Sequence, residues 1–205
     1  KPPDVMTGRS LMNVLRSEKS GLVDPSRTWV VTGRERHVAA AREGNLPYPH
    51  RALRTADFLY VRNFAPDRWP MGKPNFTSRA DLPSAAELEH NTFVAFADMD
   101  ASPTKAWLVG QYALPEWQWH YDYAFAKRPA EQLFDLHKDP DQTVNVADDP
   151  AYAGAKREMA ARLVKILTEA NDPRVTGDGQ TFERSPFTDP EPERPSKKGG
   201  KKKAK

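Results

Sequence analysis

The run 32–37, Thr-Gly-Arg-Glu-Arg-His, is the part of the sequence best suited to bind an anion. Arg34, Arg36 and His37 follow residues 28–32, whose β-branched and aromatic side chains predict a buried strand. A guanidinium offers paired donors that match sulfate or carboxylate, and an imidazole can donate to the same anion. Because ligands in open α/β sheets bind beyond the carboxyl ends of strands, this turn is a candidate substrate site. By residue type alone, a solvated polar loop is the simpler interpretation.

A group of carboxylates near the middle of the chain is a weaker candidate for chemistry. Asp135, Asp139 and Asp141 lie close together in sequence, but an EF-hand loop would need a glycine at its sixth position and a glutamate at its twelfth. We interpret residues 131–136 as a strand that ends in a turn, with Asn145 as a local cap. The 205 residues include no cysteine, so a thiolate nucleophile, a thiolate metal site and a disulfide are all excluded.

Composition limits the partners of the chain. The formal net charge is +3, but residues 191–205 hold seven Lys or Arg and two Glu, a net of +5, which leaves −2 for residues 1–190. The basic pI therefore belongs to a tail, and because its lysines are not interleaved with aromatic residues we expect no specific nucleic-acid binding. No apolar run approaches the roughly 20 residues that span a bilayer, so we expect no membrane span. The opening Lys1-Pro2-Pro3 has no signal-peptide pattern, and we expect the chain to be part of a longer protein.

Alternating apolar residues predict a β-hairpin in the first half of the chain. Residues 50–55 and 57–64 both have strand patterns, and the short break between them favours a tight turn. Residues 65–85 are rich in proline and polar residues and are expected to form a loop. The aromatic run 117–126 fits either a strand or a packed helix, and the sequence leaves both open.

Three segments carry helix signals. Residues 8–19 contain an apolar stripe, and Ser102 followed by a proline is typical of the start of a helix over 104–111. Residues 150–170 give the strongest signal, because apolar residues recur there at spacings of three or four. That stripe consists of Tyr152, Ala155, Met159, Leu163, Ile166 and Ala170.

The order of these elements resembles the end of a sulfatase. The family pattern has a small helix with a Ser-Leu-x-x-x-Leu core, matched at residues 10–15, and then a strand, matched at 29–32. An Arg-Ala-Leu-Arg-Thr strand follows at 51–55. The closing motif at 131–147 runs from Leu-Phe-Asp-Leu through Asp-Pro to Asn-Val-Ala, with a one-residue difference in register at Gln132.

Further matches resemble the N-sulfoglucosamine sulfohydrolase (sulfamidase) branch of that family. They are the turn 33–37, the Tyr48-Pro49 entry before Arg51, the Asn-Phe pair at 63–64 and the Ser-Pro-Thr triplet at 102–104. The resemblance as a whole covers about residues 5–175, and its most specific part is the closing motif.

The resemblance implies a fold class and a domain division. The complete enzyme would have an α/β catalytic domain of the alkaline-phosphatase type, followed by a small C-terminal domain with an antiparallel sheet of about four strands and a packed C-terminal helix. The chain is then α+β. We expect residues 1–45 to be the end of the catalytic domain, 46–175 the C-terminal subdomain, and 176–205 a disordered Pro/Lys-rich tail.

The resemblance also implies a chemistry whose central groups lie upstream of this chain. The family nucleophile is a formylglycine made from the first residue of Cys/Ser-x-Pro-x-Arg, and the Ca²⁺ that accompanies it is bound by carboxylates. Residues 23–27 fit that pattern except for Val23, which cannot be oxidised in that way, so we interpret them as an ordinary turn. We therefore expect the chain to be inactive alone and to bind no metal. His37, with Arg34 and Arg36, is the expected contact with a sulfated carbohydrate substrate.

The family implies export to the periplasm or the cell exterior, and the oligomeric state is left open. Two other functions fit the same residues. The first is a non-catalytic α+β module whose basic tail binds anionic polymers. The second is a phosphatase or phosphonate hydrolase of the same superfamily, which would need two zinc ions. His and Asp ligands would then be required near the chain end, and the run around His37 has no such partner.

Overall fold

A computed structural model describes residues 8–38 and 40–184 of the chain. Within them, five α-helices and four strands alternate with long connections and several short 3-10 turns. The helices are α1 (Met12–Leu15), α2 (Ala85–His90), α3 (Pro103–Gly110), α4 (Gln118–Phe125) and α5 (Ala153–Glu169). The strands are β1 (Val30–Arg34), β2 (His50–Arg54), β3 (Phe58–Asn63) and β4 (Glu131–Asp135).

The four strands form one antiparallel sheet in the order β1-β2-β3-β4. The predicted hairpin is confirmed, with Leu53 paired to Tyr60 in the middle of β2 and β3. Its turn is closed by the hydroxyl of Thr55, which accepts from the backbone N–H of Phe58 at 3.1 Å. Together with the helices, this sheet gives the predicted α+β fold class.

Helix α5 covers one face of the sheet, as its apolar stripe predicts. Leu53, Tyr60 and Leu133 from three strands pack in one buried cluster with Met159 and Leu163 of the helix. Residues alternate between faces along a strand and recur every three to four along a helix, so the two periodicities supply matching apolar surfaces. Pro150–Tyr152 forms a 3-10 turn that leads into the helix, and the Asp149 side chain accepts from Ala151 N.

A second core lies between α2, α3 and α4. Phe96 stacks on Phe125 with ring centroids 4.0 Å apart, and Val109 and Leu88 are buried beside them. The aromatic run that was open between strand and helix is helix α4, because Tyr121 and Phe125 bury one side at a spacing of four. Helix α3 begins as predicted, with the Ser102 side chain accepting from the backbone N–H of Lys105.

Lys105 holds the connection before α3 in place. Its side chain is fully buried, and Nζ donates to the backbone oxygens of Thr92 and Met99 at 2.8 Å and of Phe96 at 3.3 Å. Burial lowers the pKa of the Lys105 ammonium, and the charge of Asp100 opposes that shift. The three carbonyls satisfy all three donors of the ammonium, so one side chain closes a loop that has few backbone pairs of its own.

Three local expectations need correction. The helix expected over 8–19 is reduced to α1, none of whose residues is buried. The strand expected to be buried at 28–32 lies at 30–34 as an exposed edge strand. Because β1 is antiparallel to β2, the rule for ligands at parallel strand ends does not apply.

The loop expected over 65–85 is present, and the unpredicted α2 follows it with a Ser84–Glu87 capping box.

The predicted domain limits are crossed at both ends by structural contacts. Strand β1 lies within the first 45 residues yet pairs with β2, so the sheet spans the proposed boundary. Residues 176–184 were assigned to the disordered tail, but a 3-10 turn at Thr181–Glu183 is held there by side-chain contacts to Arg36, Arg68 and Arg174. Residues 185–205 lie outside the described part of the chain, and the domain division stays a prediction.

Met159 tests the packing of α5 on the sheet. We expect Met159→Ala to lower the free energy of unfolding by about 2–5 kcal/mol, because the side chain is 5% exposed and its removal leaves a cavity. Arg157→Ala on the exposed side of the same helix is the matched control and should change it little. Urea unfolding of both variants gives the comparison, and equal small effects would place the stripe in solvent.

Candidate functional site

Gly33 sets the geometry of the candidate turn because the side chain of Arg51 crosses over it. The two residues are directly paired between β1 and β2. A Cβ built on Gly33 would lie 2.5 Å from Cδ of Arg51 and 3.1 Å from the backbone oxygen of His50. Any larger residue would push Arg51 away, so glycine is required by close approach rather than by its backbone angles.

Arg51 uses this space to bind two carboxylates. Its Nε lies 2.6 Å from Asp172 just after α5, and its Nη2 lies 2.8 Å from Glu35. Burial opposes the charge on Arg51, but the hydrogen bonds that it donates to Asp172 and Glu35 outweigh this effect and raise the pKa of the guanidinium. Burial likewise opposes the charge on Asp172, and the hydrogen bonds from Arg51 and from Arg174 N outweigh it and lower its pKa. Both groups therefore stay charged across the neutral range.

Arg174 extends the same set of ion pairs towards the end of the described chain. Its guanidinium binds Glu35 on one side and lies 2.8 Å from Glu183 on the other. Glu183 also lies 2.9 Å from Arg68. We call Glu35, Arg51, Arg68, Asp172, Arg174 and Glu183 the arginine–carboxylate cluster. It contains three cations and three anions, so it is internally neutralised and holds the chain segments together instead of offering an open anion site.

A cavity of about 660 Å³ lies between β1 and the C-terminal end of α5. Glu35, Arg51 and Asp172 of the cluster line it, and Arg34 and Glu169 add further charges. Its apolar lining comes from Trp29, Val31, Ile166 and Leu167. A cavity that combines apolar walls with a few charged groups is the usual form of a small-ligand site.

Arg36 binds a part of the chain outside the cavity lining. Its Nη2 donates to the backbone oxygen of Phe182 at 3.0 Å, which joins the candidate turn to the 3-10 turn near the end of the described chain. Burial lowers the pKa of the Arg36 guanidinium, with Glu35 and Glu183 opposing the shift. Arg36 therefore serves first to attach residues 181–183.

His37 lies at the surface beside a buried carboxylate. Its side chain is 52% exposed, and Nδ1 is 3.8 Å from Oδ1 of Asp98, too far for a hydrogen bond. Asp98 itself is 1% exposed at its side chain, accepts from the backbone N–H of Val38 at 3.0 Å, and binds Arg42. The imidazole therefore has donor capacity available for a ligand, while Asp98 fixes the backbone that carries it.

The three predicted site residues therefore have different neighbours. Arg34 lines the cavity, Arg36 binds Phe182, and His37 lies by Asp98. Their role in substrate binding stays a prediction. The sequence analysis gave no role to Asp98, or to Arg68, Arg174 and Glu183 of the cluster.

The remaining motifs have structural roles. In the turn at 23–27, Asp24 accepts from the backbone and hydroxyl of Ser26 and from Arg27, as expected for an ordinary turn. Asp139 accepts from Val144 N at 2.8 Å, so its carboxylate caps a turn. Asn145 receives the N–H groups of Leu133 and Ala147.

Neither a metal site nor a membrane helix is found in the described part of the chain. No group of three or more His, Asp or Glu side chains within 8–38 and 40–184 could hold a metal ion. None of the helices there is long and apolar enough to cross a membrane.

Comparison with known proteins finds a similarity to sulfatases. No protein-family model matches the chain. It is 23% identical over 172 residues to the ulvan-active sulfatase of Formosa agariphila, an alignment that covers 84% of this chain and 23% of that sulfatase. Similar solved structures include a Bacteroides thetaiotaomicron protein described as a sulfatase and a 2-O GAG sulfatase, with TM-scores of 0.44 and 0.43. Each is 16% identical and is matched over 87% of this chain and 23% of its own.

The chain is therefore similar to sulfatases, and it spans about a quarter of the length of the relatives that it matches. The similarity agrees with the family that the closing motif indicates.

Asp98 tests whether the backbone around His37 depends on one buried carboxylate. Asp98→Asn should lower the free energy of unfolding by about 3–5 kcal/mol, because it leaves the buried guanidinium of Arg42 without its counter-charge. Asp141→Asn, at an exposed carboxylate elsewhere in the chain, is the control and should have little effect. Thermal or urea unfolding of the two variants measures the difference, and similar small losses would show that Asp98 does not hold this turn.

Proposed function

We propose that this chain is part of a sulfatase that removes sulfate groups from a polysaccharide. The alignment with the ulvan-active sulfatase carries the proposal, because it extends over 84% of the chain. The closing motif at 131–147 supports it, since β4 and its turn have the strand-then-turn form that the motif predicts. Ulvan is the polysaccharide that this relative's name gives, so a sulfated glycan is the proposed substrate class.

The finer assignment is to the N-sulfoglucosamine type. It is supported by the sequence matches at 33–37, 48–51, 63–64 and 102–104. In this proposal the formylglycine nucleophile and its Ca²⁺ belong to residues upstream of this chain, and the whole enzyme is exported. This chain would then be inactive alone, because it contains neither cysteine nor the motif from which a formylglycine is made.

The contribution of this chain to the reaction would be substrate binding. Arg34, which lines the cavity, and the half-exposed His37 are the residues assigned to this binding. The arginines of the cluster are already paired with carboxylates and would act by holding the turn in place. A charge-assisted hydrogen bond from His37 to a substrate anion would contribute roughly 1.5–3 kcal/mol.

The second candidate is a non-catalytic module whose Lys-rich tail binds anionic polymers. The tail lies outside the described residues, and the +5 charge of residues 191–205 is the observation behind this alternative. The two proposals differ in one result, the release of sulfate by the complete protein. Sulfate release from ulvan or from N-sulfoglucosamine supports the sulfatase, and its absence with intact polymer binding supports the module.

His37 provides the residue-level test in the complete enzyme. We expect His37→Ala to lower kcat/KM by about 10–200-fold, which corresponds to the loss of one charge-assisted hydrogen bond to the substrate. His137→Ala is the matched control, because His137 is also exposed and lies 2.8 Å from an aspartate, Asp57. Its kinetics should be normal.

The melting temperature separates the two roles of His37. A substrate contact predicts slower turnover with an unchanged melting temperature, since the imidazole is half exposed. Normal kinetics in His37→Ala, with or without a lower melting temperature, would refute the substrate role.

A further inference from the structure

Five rings form an exposed aromatic surface on α3, α4 and the turn between them. We call Trp107, Trp117, Trp119, His120 and Tyr123 the aromatic platform. Its members keep a large part of their surface in solvent, with exposed fractions of 54% for Trp119, 47% for Trp107, 45% for Tyr123 and 36% for Trp117. A contiguous exposed patch of large aromatic side chains marks an interaction surface in most proteins.

The rings of the platform fix one another. Trp119 and Tyr123, one turn apart on α4, are stacked with centroids 5.1 Å apart and planes 16° apart. His120 contacts Trp119 at 5.0 Å and Trp117 at 5.1 Å, and Trp107 meets Trp117 edge-on at 5.1 Å. Each ring has therefore lost rotamer freedom before any ligand arrives, which reduces the entropy cost of binding.

The residue types of the platform suit a hydrated, ring-shaped ligand better than they suit the dry core of a protein–protein interface. Tryptophan, tyrosine and histidine combine an apolar face with a polar edge and suit a surface that stays partly hydrated. The purely apolar side chains of the same helices, Val109 and Phe125, are fully buried on the other side.

A cation lies beside the platform. The guanidinium of Arg128 is 5.9 Å from the centre of the Tyr123 ring and is anchored by donating to the backbone oxygen of Asp122 at 2.9 Å. The ammonium of the neighbouring Lys127 lies instead over the ring of Trp69, which is not part of the platform. The nearby carboxylate of Asp122 accepts from Gln118, so part of its acceptor capacity is used. Positive charge at the edge of the rings complements an anionic ligand.

We propose that the aromatic platform binds the sugar rings of a sulfated glycan. The apolar C–H faces of pyranose rings would pack on Trp119 and Tyr123, and sulfate groups would reach Arg128. Only the choice of a sulfated glycan rests on the proposed function. The binding itself needs no catalysis, and it would hold the polymer on the chain at a surface separate from the cavity beside β1.

The test is a binding titration of the full 205-residue chain with ulvan oligosaccharides, before and after chemical removal of their sulfate groups. We expect Trp119→Ala and Tyr123→Ala each to weaken binding of both probes by about tenfold, the loss typical of one stacked ring. Arg128→Gln should weaken binding of the sulfated probe alone. The ring variants are titrated at about 0.5 M salt, where the charges of the Lys-rich tail are largely screened. The Arg128 variant is compared with the unaltered chain at about 0.15 M salt, because higher salt would also screen its contact with sulfate.

Phe93→Ala is the matched control, because Phe93 is an aromatic ring that is 53% exposed outside the platform, and it should bind like the unaltered chain. Equal binding by the Trp119, Tyr123 and Phe93 variants would overturn the proposal. So would absence of glycan binding, or self-association of the chain that Trp119→Ala abolishes, because the platform would then be a protein interface. Sulfate release by the complete enzyme from a small aryl sulfate is measured separately, so failure of this inference is distinct from failure of the sulfatase assignment.

Discussion

The described structure depends most on two ion pairs, which the carboxylate of Glu35 makes with two buried arginines. They join the segment after β1 to Arg51 on β2 and to Arg174 beyond α5, three parts of the chain that are distant in sequence. Arg51 and Arg174 are 7% and 9% exposed, so either guanidinium would be costly to leave unpaired. The other features follow from this arrangement, including glycine at position 33 and the attachment of residues 181–183.

Much of the fold could be predicted from the sequence because its signals are local. The hairpin of β2 and β3, the Ser102 cap of α3 and the apolar stripe of α5 each depend on residues a few positions apart. Local propensity and hydrophobic period agree at these places, and the structure follows both. The strand-and-turn interpretation of residues 131–141 is correct for the same reason, since the Asp139 carboxylate accepts a hydrogen bond from Val144 N within its own turn.

The candidate site could be predicted less well because its contacts are not local. Arg51 and Asp172 meet across 121 residues, and no spacing rule relates them. Sequence reasoning also grouped Arg34, Arg36 and His37 because they are neighbours, whereas β1 ends at Arg34 and the turn after it takes the three side chains to different surroundings. Burial of β1 was mispredicted because residue types that favour strands do not distinguish a central strand from an edge strand.

A double-mutant cycle between Glu35 and Arg174 tests the central claim most directly. Glu35→Gln, Arg174→Met and the double variant would be compared by urea unfolding, with the exposed pair of Glu43 and Lys73 as a reference cycle. If the buried pair joins the segments as described, the two substitutions should be coupled by about 1–3 kcal/mol, and the reference pair should be nearly additive. Additive losses at Glu35 and Arg174, no more coupled than the exposed pair, would contradict the account.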